Sequence, residues 1–160
     1  MQNNILSQGK DKYLFDNLTK VTNIKTGACF TSHEVEDIVK QVNQINNLKK
    51  EKDALILAHY YCSPKILFGV ADFCGDSYAL AKKAKEAKEQ NIIFCGVTFM
   101  AETAKILNPS KKVILPPVTA GCSLASGITA QEVLNLRKKY PHAKVLCYIN
   151  SSAEVKAVCD

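Results

Sequence analysis

The stretch NIIFCGVTFMAETAKILNPSKKVIL, residues 91–115, reads as strand, turn, helix and strand. Ile92 to Cys95 is a short unbroken apolar run, and Gly96-Val97-Thr98 is a turn. FMAETAKILN is helical until Pro109 stops it, and Val113 to Leu115 is a second apolar run. Unbroken apolar strands separated by a helix belong to a parallel sheet buried on both faces.

The same alternation extends in both directions. Upstream, Thr31-Ser32-His33-Glu34 opens a helix whose apolar positions Val35, Ile38, Val42, Ile45 and Leu48 recur at threes and fours. Ala54 to Ala58 follows as a strand, with His59, Tyr60 and Tyr61 at its carboxyl end. Pro64 then breaks the chain, a short apolar segment runs to Phe73, and Gly75-Asp76-Ser77 leads into a helix over Tyr78 to Gln90. Downstream lies PPVTAGCSLASG, Pro116 to Gly127, a loop of prolines and small residues around one cysteine. Thr129 to Glu132 caps the next helix, which reaches Tyr140. Lys144 to Ile149 is expected as another strand, with a last helix after it. Helix, turn, apolar strand and terminal tyrosine thus occur twice, in Glu34 to Tyr61 and in Glu132 to Tyr148. The second occurrence is expected to begin a second unit. Met1 to Phe30 shows no clear period and is expected as a partly ordered arm, which leaves 31–127 as a first α/β domain and 128–160 as the start of another.

Composition narrows the function classes. A chain of 160 residues that is 47% hydrophobic can bury a core. Its amino-terminal residues lack the apolar centre of a signal peptide, and no apolar run approaches membrane-spanning length, so a cytoplasmic protein is expected. The net charge of +6 comes from lysines scattered among glutamates, with a single arginine, Arg137. That pattern suits a solvated helix face and anionic small molecules rather than nucleic acid. Seven cysteines without a secretion signal argue for reduced thiols, and no two are spaced as CxxC.

In open parallel sheets, ligands bind beyond the carboxyl ends of the strands. That rule selects His59 to Tyr61, Gly96 to Thr98, Pro116 to Cys122, and Tyr148 to Asn150. A neutral imidazole beside phenols can orient an anion or move protons. His59 is equally readable as a core histidine, Asp76 or Ser77 as a helix cap, and Glu102 with Lys105 as a surface ion pair. Cys62, Cys74, Cys95 and Cys147 read as small buried hydrophobes.

The series AHYY, DFCGDS, FCGVTFMAETAKILNP, AGCSL and YINSSAEVKA, in this order, closely resembles the quinolinate synthases, the A proteins of NAD biosynthesis, from about Ala54 to Asp160. The resemblance implies a three-layer Rossmann-like parallel sheet unit, one of three similar domains. It also implies condensation of iminosuccinate with dihydroxyacetone phosphate to quinolinate, and a functional link to an L-aspartate oxidase that supplies iminosuccinate. The family holds a 4Fe-4S cluster through three cysteines, one per domain, with an open iron that serves as a Lewis acid. By this resemblance Cys122 is the first cluster ligand, His59 contacts iminosuccinate and Tyr61 takes part in proton movements. Ser77 binds a substrate carboxylate, and Tyr148 and Asn150 hold iminosuccinate. CSPKILFGV departs from the acidic, glutamine-containing segment common in the family. The chain reaches Asp160 before the other two cluster cysteines and the essential glutamate, so an amino-terminal fragment without activity of its own is expected. The competing expectations are a non-catalytic Rossmann-like module binding a dicarboxylate or phosphate, and a thiol redox protein, which the missing CxxC disfavours.

Overall fold

A computed structural model describes residues 2–23, 26–116 and 119–160, with the side chains of 2–8 left aside. Pro117 and Val118 of the cysteine loop therefore lie outside the described residues. The elements run α1 (Gln2–Leu18), α2 (Ser32–Glu51), β1 (Ala54–His59), α3 (Pro64–Gly69), β2 (Phe73–Gly75), α4 (Ser77–Lys85), β3 (Asn91–Cys95), α5 (Thr98–Leu107), β4 (Lys112–Ile114), a 3-10 turn (Ala125–Gly127), α6 (Ala130–Lys139) and α7 (Ala153–Ala157). The four strands form one parallel sheet in the order β2-β1-β3-β4.

Side chains alternate across the sheet, so each strand feeds two cores. Leu55 and Leu57 of β1 and Ile92 and Phe94 of β3 pack with Leu80, Phe99 and Met100 under α4 and α5. Ile56, with Ile93 and Cys95, faces the opposite cluster of Leu14, Leu18, Val35, Ile38 and Val42. Helices on both faces of an all-parallel sheet make the three-layer α/β unit that the apolar runs predicted.

The helix starts follow their local chemistry. Thr31 with Glu34 and Thr129 with Glu132 each form a reciprocal capping box. In both, hydrogen bonds from the threonine hold the glutamate carboxyl below its ordinary range. Asp76 caps α4 through Ala79 N–H at 2.8 Å, which settles the choice between Asp76 and Ser77.

Several expectations give way. The first residues include a helix, α1, whose Leu14 and Leu18 are fully buried against α2. The helix has no amphipathic repeat, and Leu14 and Leu18, at i and i+4, bring one side of it into the core. In α2 the first three apolar positions are buried, while Ile45 and Leu48 are exposed. Phe73–Gly75 is a strand that was hidden in the segment after Pro64. It forms because the register Leu57 to Phe73 and His59 to Gly75 satisfies the outer edge of β1. Asp72 secures it by accepting Ile56 N–H at 2.8 Å while pairing with Lys49 at 2.6 Å. The helix expected to reach Gln90 stops at Lys85.

Lys144 to Ile149 is not a strand. It has no ladder partner, and Leu146 is 89% and Tyr148 70% exposed, with Cys147 exposed rather than buried. The carboxyl-terminal stretch docks by other means. Glu102 of α5 accepts Ala153 N–H at 2.8 Å at the start of α7, and Lys156 reaches Thr103 Oγ1 at 2.8 Å. Glu102 and Lys105 are accordingly not paired with each other; Lys105 donates to the carbonyls of Pro109 and Lys111.

Candidate functional site

The carboxyl ends of β1, β2 and β3 gather the reactive side chains selected by the strand-end rule. His59 closes β1 opposite Gly75 of β2, and the chain then turns sharply, with Cys62 N–H donating to the His59 carbonyl at 2.9 Å. The turn folds Tyr61 back over the histidine, so that the two rings lie 4.1 Å apart between centroids at an angle of 32°. Cys62 fastens the turn to the neighbouring strand through a hydrogen bond from its Sγ to the Cys95 carbonyl at 3.1 Å.

Two glycines make room for this arrangement. A Cβ on Gly96 would stand 3.0 Å from Met100 Sδ and 3.2 Å from the Phe94 ring. A Cβ on Gly75 would meet Phe73 at 3.0 Å and Ala79 at 3.1 Å. Both sit where a strand hands over to a helix, and a side chain at either would press on its neighbours.

The Cys122 loop is tied to the same edge. The Ala120 carbonyl accepts both Thr98 N–H at 2.9 Å and Thr98 Oγ1 at 2.8 Å, joining the loop to the first residue of α5. After it, the Cys122 carbonyl accepts Ser126 N–H at 3.0 Å and Ser126 Oγ at 3.1 Å, which coils the loop into the 3-10 turn. Cys122 is half-buried and packs, with Ala125, against the core under α4 and α5.

Electrostatics gives the two rings different characters. Burial lowers the His59 imidazole below its ordinary value, partly offset by the Asp76 carboxylate, so it is neutral at pH 7. Its Nδ1 accepts Tyr61 N–H at 3.4 Å, which assigns the proton to Nε2. Burial above all, with smaller contributions from the Cys62 and Cys122 thiols, pushes the Tyr61 phenol up to about 12. Its hydroxyl rests 4.0 Å from Met100 Sδ, a poor acceptor, and keeps its proton. Burial likewise raises the thiols of Cys62, Cys74 and Cys95, the last to about 11.

The structure thus brings His59 and Tyr61 together, with Cys122 in electrostatic range of the phenol and Asp76 in range of the imidazole. Ser77 is the first residue of α4, and among the described residues its hydroxyl has no hydrogen-bond partner. Tyr148 and Asn150 lie between α6 and α7, and no described contact joins them to His59 or Tyr61; the Tyr148 carbonyl accepts Ser151 Oγ at 2.8 Å. Asn150 Oδ1 is buried without a partner among the described residues, an acceptor still open to a donor.

Sequence reasoning missed what Cys62 and Asp76 contribute, whereas Thr98 lay in a stretch that the strand-end rule selected. Cys62 was taken as packing, yet its hydrogen bond holds the His59 turn. Thr98 locks the cysteine loop, and Asp76 tunes the imidazole as well as capping α4. The only signal for them in the chain is their position at strand ends.

The family model NadA, quinolinate synthetase A protein, matches residues 43–160. The chain is 58% identical over 118 residues to the quinolinate synthase of Clostridium perfringens strain ATCC 13124, an alignment covering 74% of this chain and 39% of that protein. It is 55% identical over 118 residues to the quinolinate synthase of Caldicellulosiruptor bescii, with the same coverage of 74% and 39%. With that of Caulobacter vibrioides it shares 52% over 117 residues, covering 73% of this chain and 32% of the relative. The chain spans less than two fifths of the length of each of these relatives.

Proposed function

The chain belongs to the quinolinate synthetase A protein family, and on that premise we propose that it carries part of a site that condenses iminosuccinate with dihydroxyacetone phosphate to quinolinate, in de novo NAD biosynthesis. The observation that carries this reading is the stacked pair His59 and Tyr61, 4.1 Å apart at the carboxyl end of β1 with the Cys122 loop beside it.

Each side chain has a part that its chemistry suits. A neutral imidazole with its proton on Nε2 donates to a carboxylate of iminosuccinate without the cost of burying a cation. Tyr61, holding its proton, acts as a donor to an oxygen of the triose-derived carbons. The Ser77 hydroxyl adds a second donor for a substrate carboxylate. Tyr148 and Asn150 hold the iminosuccinate from the other side, the open Asn150 Oδ1 accepting from its nitrogen. The supplier of this unstable imine is an L-aspartate oxidase.

A 4Fe-4S cluster does not fit the residues of this chain by themselves. Among the described residues, no three His, Cys, Asp or Glu side chains converge as a metal site. Cys122 is proposed as one ligand of three. Among the described residues, no helix is long and apolar enough to cross a membrane, in keeping with substrates drawn from water.

The test is anaerobic reconstitution of the 160-residue chain with iron and sulfide, followed by iron and sulfide analysis and a quinolinate assay. The expected result is no stable cluster and no product from this chain alone. One full cluster per chain with turnover overturns it.

A further inference from the structure

The opposite edge of the sheet, where the strands begin, carries a cavity of about 860 Å³. Four lysines line it: Lys10 from α1, Lys49 and Lys50 from the last turn of α2, and Lys83 from α4. Three carboxylates, Asp53, Asp72 and Glu89, line it too.

The carboxylates are already committed within the protein. Asp72 takes Lys49 and Ile56 N–H. Asp53 Oδ2 accepts Gln90 N–H at 2.9 Å, from a backbone held at φ 46°. Glu89 Oε2 accepts Lys88 N–H at 3.0 Å. Among the described residues, the ion pairs leave Lys10, Lys50 and Lys83 without a carboxylate. Three ammonium groups from three separate helices therefore share one concavity without an ion pair among the described residues, Lys83 lying 5.9 Å from the centre of the Phe73 ring.

Their crowding has a measurable sign. Lys10 is lowered from its ordinary value first by burial and then by Lys49, with Lys50 adding to the effect and Asp72 and Asp11 opposing it. A positive potential in excess of the local acids is what an anion would relieve.

We infer that this cavity is a binding site for a small phosphate-class dianion, either inorganic phosphate or a phosphate monoester. Lysines approaching as point charges from several directions match a tetrahedral oxyanion, whereas a planar carboxylate is better served by the arginine fork. The chain's one arginine is engaged elsewhere, by Asp160. The site is separate from the His59 edge by the length of β1, about 20 Å for six residues.

Titration of the 160-residue chain at constant ionic strength, followed by backbone amide NMR, tests this. Inorganic phosphate and glycerol 1-phosphate are the probes, with chloride and acetate as controls. The expected result is saturable shifts at Lys50, Ala54 and Leu55. Lys10→Gln, Lys50→Gln and Lys83→Gln should each weaken phosphate about fivefold, the effect of one water-screened charge contact. Lys50→Arg should retain binding. Tighter binding of the ester identifies a metabolite site and equal binding a free-phosphate site, and both support the inference. It is overturned if chloride or acetate produces the same shifts, if saturable shifts are confined to residues around His59, or if Lys83→Gln and a well-dispersed Lys10→Gln/Lys50→Gln variant both bind phosphate unchanged.

Discussion

Ala54–His59 and Lys144 to Ile149 echo each other in pattern, each a short apolar run that follows a capped helix and a turn and leads to tyrosine. Their structures differ completely. In the first, Leu57 is fully buried between β2 and β3. In the second, Leu146 is 89% exposed and the backbone has no ladder. The difference teaches that apolar content nominates a strand but neighbours make one, because only pairing on a sheet satisfies the backbone along the whole run and covers its side chains.

The comparison breaks most visibly under truncation. Leu57→Ala should destabilise the chain by about 2–5 kcal/mol, the cost of a cavity in a packed core. Leu146→Ala should change stability by less than about 0.5 kcal/mol, as at other exposed positions. Urea unfolding measures both, and equal losses would show that the tail is packed after all.

A smaller effect is expected where the tail meets the sheet unit. Glu102→Ala removes the acceptor for Ala153 N–H and the carboxylate at the start of α7. A loss of about 1 kcal/mol follows. Amide exchange through α7 should accelerate about fivefold while β1 and β3 are unchanged. Uniform acceleration would mean that the two regions unfold as one.

Acid should separate the regions most gently. The folded His59 pKa lies below its unfolded value, so the unfolded chain binds the proton more readily. Stability is therefore full above about pH 6.5 and declines as pH falls below it. His59→Gln should flatten that slope. Asp160 behaves differently. Val145 N–H, Arg137 and Lys144 hold its carboxyl well below the ordinary range. The clasp between Val145 and Asp160 is present above about pH 4 and lost as pH falls further toward the folded value. Amide shifts of Val145 and Asp160 read the second window, and the urea midpoint reads the first.

Much of the fold was legible because its signals are local. Thr31 with Glu34, Thr129 with Glu132, and the apolar runs of β1, β3 and β4 each carry their own instruction over a few residues. Phe73–Gly75 was not legible, since three residues at a sheet edge have no period and become a strand only by pairing with β1. Leu14 and Leu18 were hidden for a related reason, being two anchors in a helix without an amphipathic repeat. At the candidate site, the strand-end rule pointed to His59, Tyr61 and Cys122 before any contact was known, while Ser77 came only from the family resemblance. The rule also pointed to Tyr148 and Asn150, whose supporting strand did not form.

By itself the sequence determined the parallel α/β plan, the family, and a lone cysteine in the loop after β4, because periodicity, caps and motifs are properties of short stretches. Tertiary structure decided that Tyr61 folds over His59 and keeps its proton, and that Cys62 and Thr98 hold the edge together. It also decided that three lysines from distant helices share one cavity. Such outcomes depend on burial and on distances between residues far apart in the chain, which no local pattern records.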